Sequence, residues 1–236
     1  MSRSLARRMV RLRNPQPMVS FTFDDAPHTA CTQGRRLLEQ HGARGTFYVC
    51  GGLTDQRTPE LMHSLDELRA LHAAGHELGC HGFQHVDYQS LSRQQLQSDV
   101  ERNLQFLQQL GVSAQDLNFA YPFGCVSPGV KGWVARRYTS CRGVTDGLNV
   151  GETDLNLLKS CRLYEGVLTP AAVTALLEDA ARQCGWLIFF THGIEDQPTE
   201  YGCTPQLLEH ALSAARQAGV QVLTVRQALQ QALEQP

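Results

Sequence analysis

The feature that most constrains the fold is a regular alternation of apolar, strand-like runs with helical patterns. Residues 18–23 (MVSFTF), 45–50 (GTFYVC) and 186–192 (WLIFFTH) have the composition of strands, and segments with helical leucine or alanine spacing separate them. The run LIFF is apolar at consecutive positions, which suits a strand buried on both faces of a sheet. Alternating strands and helices indicate a mainly parallel sheet covered by helices. We therefore predict one α/β domain, built as a barrel or a barrel-like sheet.

Capping signals predict where helices begin and end. Thr58 followed by Pro59 predicts the start of a helix that Gly75 ends. Ser92 and Gln95 form a capping box that predicts the start of another helix. No linker or internal repeat divides these elements, so we assign them to a single domain.

Polar side chains interrupt the ends of several predicted strands. Asp24 and Asp25 close the first strand, His81 and His85 follow the strand candidate HELGC, and His192 follows LIFFT. In a barrel of parallel strands the carboxyl ends form one rim, and active groups sit there. The sequence therefore predicts that these side chains meet at one site.

The two histidines form an H-x-x-x-H pair, which places two imidazoles on one face of a helical turn. Position 82 is glycine, so the H-E-x-x-H metalloprotease motif is absent. Two histidines alone fit ordinary surface or core positions equally well. Together with a strand-end aspartate they make three metal ligands and leave coordination positions open.

A cation would also explain the adjacent carboxylates Asp24 and Asp25. One can bind the metal, while the other stays ionised as a base because the cation offsets the repulsion between them. The alternative is that the pair caps a helix or forms a turn, assisted by Pro27. The nearby histidines favour the metal hypothesis.

Four motifs in this order resemble those of the NodB-homology polysaccharide deacetylases, carbohydrate esterase family 4. They are TFDDAPH (22–28), HGFQH (81–85), FAYPFG (119–124) and FFTHG (189–193). The resemblance covers most of the chain from about Met18 onward. It implies a distorted (β/α)7 barrel of the NodB type and metal-dependent hydrolysis of an N-acetyl, sometimes O-acetyl, group on a sugar.

The resemblance also implies a role for each matched side chain. Asp24 resembles the catalytic base and Asp25 the metal-binding aspartate. His81 and His85 resemble the two histidine ligands. His192 resembles the general acid that protonates the leaving amine.

Further residues would contact the substrate. Phe123 occupies the position whose backbone N–H holds the oxyanion, and Phe190 the position of an apolar wall around the acetyl methyl group. Tyr121 and Trp133 are candidates for the lining of the sugar site, and His28 near the rim either contacts substrate or caps the following helix. Of the other histidines, we interpret His63, His41, His72 and His210 as surface residues and His76 as structural.

The chain departs from the family pattern at two positions. Ala26 stands where the family often has glycine, which removes backbone freedom. Ala120 replaces an arginine that would orient the base, and a D-x-x-x-W-type motif is absent. Arg142, in CRGVTDG, is our hypothesis for the source of the missing positive charge, and a plain surface position is the alternative.

Charge and composition limit the partners. Residues 1–17 form a basic N-terminal arm before a catalytic domain at 18–236. The arm carries Arg3, Arg7, Arg8, Arg11 and Arg13. A solvated terminus is one interpretation of this arm, and weak contact with a phosphate or a membrane surface is the other. The net charge of −2 gives no argument for nucleic acid as a partner.

A signal peptide has an apolar run of roughly 7–15 residues after its basic residues. The arginines of the arm are not followed by such a run. We therefore predict a cytoplasmic protein. The eight cysteines are scattered, without a C-x-x-C pair, and we interpret them as small buried apolar residues in a reducing compartment. Cys80 is the one we expect beside the metal site.

The resulting prediction is a metal-dependent N-deacetylase of an acetamido sugar, with a nucleotide- or lipid-linked precursor of a surface polysaccharide as the substrate. The cofactor is one divalent metal, Zn first, with Fe, Co or Ni as alternatives. Two other functions stay open: hydrolysis of a different non-peptide C–N bond, and a catalytically silent glycan-binding role. The loss of arginine at Ala120 favours the silent role.

Overall fold

A computed structural model describes residues 5–233 of the chain, so Arg3 of the predicted arm and the last three residues lie outside the described part. The strands are β1 (Met9–Leu12), β2 (Met18–Asp24), β3 (Thr46–Val49), β4 (Glu77–Cys80), β5 (Phe119–Ala120), β6 (Cys141–Arg142), β7 (Gly151–Asp154), β8 (Cys161–Arg162), β9 (Trp186–Thr191) and β10 (Gln221–Val222). The helices are α1 (Arg35–Gln40), α2 (Leu65–Ala73), α3 (Arg93–Gln109), α4 (Pro128–Val134), α5 (Pro170–Gln183), α6 (Pro205–Gln217) and α7 (Val225–Leu233).

Seven parallel strands form one curled sheet in the order β6-β5-β4-β3-β2-β9-β8, and β10 pairs with the start of β2. The segment before β8 also reaches the opposite edge: Leu158 N donates to Cys141 O at 2.8 Å, and Gly143 N donates to Leu158 O at 2.9 Å. These bonds bring the two ends of the sheet together. The predicted (β/α)7 barrel is therefore confirmed, with its distortion at this short closure.

The alternation of side chains along β2 sets the position of the site. All seven residues of β2 are buried. Phe21 and Phe23 belong to the larger apolar cluster together with residues of α1 and α6, whereas Met18 packs with Trp186 and Ile188 in a second cluster. Because side chains on a strand alternate between faces, Asp24 shares the face of Met18 and not that of the phenylalanines.

Several predicted elements differ in extent. The helix predicted from Thr58 begins only at Leu65, because Ser64 and Glu67 form a capping box and the chain before it bends at residues 58–60 between isolated β-bridges. The capping box at Ser92 is confirmed at the start of α3. The strands β1, β7 and β8 had no signal in our sequence analysis.

The basic arm is partly folded. Met9–Leu12 pairs antiparallel with Gly151–Asp154, and Leu12 is buried. The Arg8 guanidinium donates to Tyr138 O at 3.3 Å and also to Thr139 O. The interpretation of the arm as a solvated terminus is therefore wrong from Met9 to Leu12. Among residues 5–233, none of the helices combines the length and apolar character needed to cross a membrane.

A buried ion pair ties α4 to β7 and gives a stability prediction. Lys131 Nζ lies 2.5 Å from Asp154 Oδ2, and the Lys131 side chain is fully buried. Replacing Lys131 with methionine leaves the carboxylate without its cation, and we expect the free energy of unfolding to fall by about 3 kcal/mol. The exposed Lys159→Met is the control, with an expected change within about 0.5 kcal/mol. Urea unfolding measures both, and equal stabilities would contradict the assignment.

Candidate active site

A cleft of about 750 Å³ opens at the carboxyl ends of the parallel strands. Its lining contains eight of the residues predicted from sequence: Asp24, Asp25, His81, His85, Tyr121, Phe123, Phe190 and His192. Arg142, the ninth, lies beneath the cleft floor and is 1% exposed. The fold therefore brings together side chains from four strand ends, as expected for a barrel of this kind.

Asp24 and Arg142 form a buried ion pair. One terminal nitrogen of the guanidinium, Nη2, lies 2.7 Å from Oδ1 and 2.6 Å from Oδ2 of Asp24. Burial by itself would raise the pKa of Asp24, and it is the largest single effect. The charge and hydrogen bond of Arg142, together with the charges of His81 and His192, outweigh it, so this pKa lies below its usual value. The carboxylate is consequently ionised over the neutral range and fixed in orientation.

The register of the sheet explains how Arg142 reaches the site. Ala120 of β5 and Arg142 of β6 are partners in neighbouring parallel strands, so their side chains share one face. The guanidinium is flanked by the rings of Tyr48 and Phe190, with centroids 5.3 and 4.8 Å from Cζ. The structure thus places an arginine one strand away from the position at which the family pattern would have it.

Asp25, His81 and His85 form the cluster that could hold a metal ion. Their ligand atoms lie within 4.8 Å of one another. Asp25 Oδ1 is 3.8 Å from His81 Nε2 and 3.4 Å from His85 Nε2. His81 Nδ1 donates to Ala120 O at 2.8 Å, which leaves Nε2 facing the cluster.

The two histidines converge through a loop and not through the helical turn that we expected. Gly82 and His85 have positive φ of 80° and 50°. The Asp99 carboxylate holds this loop by accepting from Phe83 N at 2.8 Å and from Gln84 N at 3.0 Å. A Cβ at Gly82 would lie 2.4 Å from the Tyr88 hydroxyl oxygen, so only glycine fits there.

The donor set fits a divalent cation. Burial lowers the pKa of His81 to about 3 and also lowers that of His85, so both imidazoles are neutral and available as ligands. Burial raises the pKa of Asp25 to about 6, only partly opposed by the charge of His192. A cation would favour the ionised carboxylate. Imidazole and carboxylate ligands suit Zn, Fe, Co and Ni.

His192 lies on the other side of the cluster. Its Nδ1 donates to Tyr201 O at 3.1 Å, and its Nε2 lies 4.0 Å from Asp25 Oδ2. The backbone carbonyl therefore sets the tautomer and directs Nε2 toward the cleft. This is the position that a proton donor to a leaving group would need.

The cysteine beside the site is Cys50 and not Cys80. Cys50 Sγ lies 3.6 Å from Asp25 Oδ1 and 3.1 Å from His81 O. Cys80 Sγ instead accepts from the side chains of Asn103 and Tyr138. Our expectation for Cys80 was wrong, since its side chain points from β4 toward the helices.

The predicted aromatic residues have different environments. Phe123 has a positive φ of 57°, is 61% exposed, and its ring centroid lies 4.4 Å from that of His85. Tyr121 is buried, and its hydroxyl donates to Asn156 O at 3.0 Å. Trp133 lies on α4, is not part of the cleft lining, and stacks with the guanidinium of Arg137. The expectation that Trp133 contacts a sugar is therefore not supported.

The cleft lining also contains residues that the sequence analysis missed, among them Glu60, Arg162, Tyr164 and Tyr201. Glu60 lies in the bend at residues 58–60, which we had predicted to be the start of a helix. Burial, and then the charge of Glu195, raise its pKa to about 7. Arg162 and Tyr164 belong to β8 and its continuation, where no residue pattern had predicted a strand.

The turn after β2 carries backbone strain. Asp25 and Ala26 both have positive φ, 61° and 49°, and Ala26 is fully buried. A non-glycine residue in such a conformation costs roughly 1 to 3 kcal/mol. Ala26, where the family often has glycine, therefore strains the backbone as well as restricting it. Contacts around the turn must hold this conformation.

Comparisons with known proteins found a family model and individual relatives that match part of the chain. The family model "Polysaccharide deacetylase" matches residues 11–138. A chitin deacetylase of Colletotrichum lindemuthianum is 36% identical over 94 residues, 37% of each chain. A peptidoglycan-N-acetylglucosamine deacetylase of Bacillus cereus is 32% identical over 88 residues, 37% of this chain and 38% of the relative. The matched segments thus span well under half the length of these relatives.

The fold is shared over a longer stretch. The solved structure of the chitin deacetylase from the fungal pathogen Colletotrichum lindemuthianum superposes with a TM-score of 0.63 at 19% identity, covering 92% of this chain and 89% of that one. At this identity the likeness concerns the fold. It extends beyond the matched sequence segment, to the part of the chain that contributes Arg142 and His192.

Proposed function

The chain belongs to the polysaccharide deacetylase family, and from this membership we propose that it is a metal-dependent hydrolase that removes the N-acetyl group of an acetamido sugar. The observation that carries the proposal is the convergence, in one cleft, of the Asp25–His81–His85 cluster with the ionised Asp24 and with His192. A hydrolysis of this kind needs a Lewis acid, a base and a proton donor.

The chain's residues divide the reaction among them. A divalent metal held by Asp25, His81 and His85 would lower the pKa of water and polarise the acetyl carbonyl. Asp24 accepts the proton of the attacking water, and Arg142 keeps that carboxylate ionised and in place.

The second half of the reaction breaks the C–N bond. The Phe123 N–H is the proposed donor to the oxyanion that develops on the acetyl oxygen. Cleavage of this bond requires the imidazolium form of His192: Nδ1–H donates to Tyr201 O, the Nε2 proton passes to the departing nitrogen, and the imidazole is left neutral. Phe190 would border the acetyl methyl group. The products are acetate and a free amine.

As the substrate we propose a nucleotide- or lipid-linked acetamido sugar, and as the compartment the cytoplasm. Eight free cysteines in the described residues, six of them buried, are consistent with a reducing compartment. Contact of the arm with a phosphate or a membrane stays a prediction. The Arg8 side chain donates to Tyr138 O within the fold, which argues against its taking part in such a contact.

A catalytically silent glycan-binding role is the second candidate function. Its support was that position 120 is alanine and not the arginine of the family pattern. The buried contact between Arg142 and Asp24 supplies the positive charge that Ala120 lacks. Hydrolysis of another non-peptide C–N bond is distinguished from deacetylation by measuring ring opening or ammonia against acetate.

Metal analysis and acetate release test the proposal. The substrates are a chito-oligosaccharide, peptidoglycan and an acetamido nucleotide sugar, each assayed with the native enzyme and after chelation. We expect chelation to abolish activity and Zn²⁺, or else Fe²⁺, Co²⁺ or Ni²⁺, to restore it. Asp25→Ala should lose both metal and activity, whereas Asp66→Ala, whose side chain is 92% exposed, should lose neither. Full acetate release after chelation would contradict the mechanism.

A further inference from the structure

His63 was interpreted from sequence as a surface residue, but the structure buries it completely beneath the turn that carries Asp25. Its Nδ1 lies 3.1 Å from Asp25 O and 3.1 Å from Ala26 O. Carbonyl oxygens only accept hydrogen bonds, so Nδ1 carries the proton and is shared between the two. The other ring nitrogen, Nε2, lies 3.2 Å from Thr54 Oγ1.

The turn that His63 contacts determines where the Asp25 carboxylate points. Asp25 and Ala26 have consecutive positive φ values, and neither is a glycine. L-residues favour this conformation only when neighbouring groups hold it. If the turn relaxed, the Asp25 side chain would swing away from His81 and His85.

Backbone contacts also join the segment that contains His63 to Pro27 and His28, the two residues directly after the turn. His28 N donates to Leu61 O at 2.9 Å, and Pro27 forms a bridge with Met62. Asp55 N donates to His63 O at 2.9 Å and fixes the other side of the segment. The imidazole is therefore held against the two carbonyls by its own backbone.

We propose that His63 is a positioning residue for the metal site, which holds the strained Asp25–Ala26 turn by donating from Nδ1 to both carbonyls and so directs the Asp25 carboxylate toward His81 and His85. This inference rests on the proposed function, because it assumes that the three residues bind a metal. His63 is neither a member of the metal cluster nor one of the residues that line the cleft, and it reaches the site only through the backbone carbonyls of Asp25 and Ala26. Its effect is on metal affinity.

Two substitutions at His63 separate hydrogen bonding from packing. His63→Phe keeps a buried ring and removes the donor, so we expect Zn²⁺ affinity to fall by about 10- to 100-fold. His63→Asn places an amide nitrogen near the position of Nδ1 and is expected to recover most of that affinity. His76→Phe is the matched control, since His76 is also buried but bonds to Gly45 N and Glu39, outside the cleft.

Zn²⁺ affinity is measured by competition with a chromophoric chelator, and thermal unfolding in excess chelator reports whether each variant is folded. Unchanged affinity in His63→Phe, or equal losses in His63→Phe and His63→Asn, would overturn the positioning role. So would an equal loss in His76→Phe. A wild-type chain that binds no Zn²⁺, Fe²⁺, Co²⁺ or Ni²⁺ would instead overturn the metal site of the proposed function, and this inference with it.

Discussion

Replacing Arg142 with alanine is expected to lower acetate release by about 100-fold at pH 7, because the base then loses the charge that keeps it ionised. Asp24 is 5% exposed, and burial alone raises its pKa. In the native protein the charge and hydrogen bond of Arg142, with smaller contributions from the charges of His81 and His192, reverse that effect. Without Arg142, part of the Asp24 population becomes protonated at neutral pH and cannot accept a proton from water.

The opposite effects of burial and of the Arg142 charge on the pKa of Asp24 determine how the activity depends on pH. In the native enzyme the lowered pKa of Asp24 keeps the base active down to acid pH, and the ion pair contributes stability that is lost as the pH falls through that pKa. In Arg142→Ala the acid limb of kcat/KM moves to higher pH, so the deficit shrinks as the pH rises. A uniform deficit at every pH would show that orientation, and not ionisation, was lost.

A double substitution tests whether the charge can return to the neighbouring strand. Ala120 and Arg142 share a face as register partners of β5 and β6, and Arg142→Ala leaves space there. We expect Arg142→Ala/Ala120→Arg to regain part of the activity lost in Arg142→Ala and to move the acid limb back down. Acetate release and urea unfolding measured together separate activity from stability. If Arg142→Ala alone kept the native activity and the native pH profile, Arg142 would have no role in the reaction.

The fold and the main site could be predicted because strong local signals carried them. The apolar runs of β2 and β9 identified buried strands, and Asp24, Asp25 and His192 were found because they follow those runs directly. Arg142 was reachable as a hypothesis because a charge that the family pattern requires was missing at Ala120. The register that brings the two together is a property of the sheet, which no local pattern reveals.

The residues that were missed come from segments whose conformation depends on distant contacts. Glu60 and His63 lie in a stretch where Thr58 and Pro59 resemble a helix start, while backbone contacts of residues 61 and 62 with His28 and Pro27 hold it in a non-helical conformation. Arg162 lies in β8, a strand of only two residues whose hydrogen-bond partners are in β9. Strands this short have no hydrophobic period to detect.

Changing each of the adjacent aspartates to asparagine is expected to affect acetate release and Zn²⁺ affinity differently. Asp24→Asn removes the proton acceptor and leaves Asp25, His81 and His85 in place, so we expect acetate release to fall by about 1000-fold while Zn²⁺ affinity stays near the native value. Asp25→Asn removes an anionic ligand, and both metal affinity and activity should fall.

The comparison is informative because the two residues are neighbours in sequence but differ in their partners. Asp24 lies on β2 and contacts Arg142, whereas Asp25 follows the strand at positive φ and turns toward the histidines. Chelator competition and acetate release on the same preparations distinguish the variants, and thermal unfolding verifies that Asp24→Asn folds although its guanidinium partner then faces a neutral amide. Equal loss of metal in both variants would mean that Asp24 is a ligand, and native activity in Asp24→Asn would mean that the base lies elsewhere in the cleft. Retained metal with lost activity in Asp24→Asn alone is the result that assigns one carboxylate to the cation and the other to the proton.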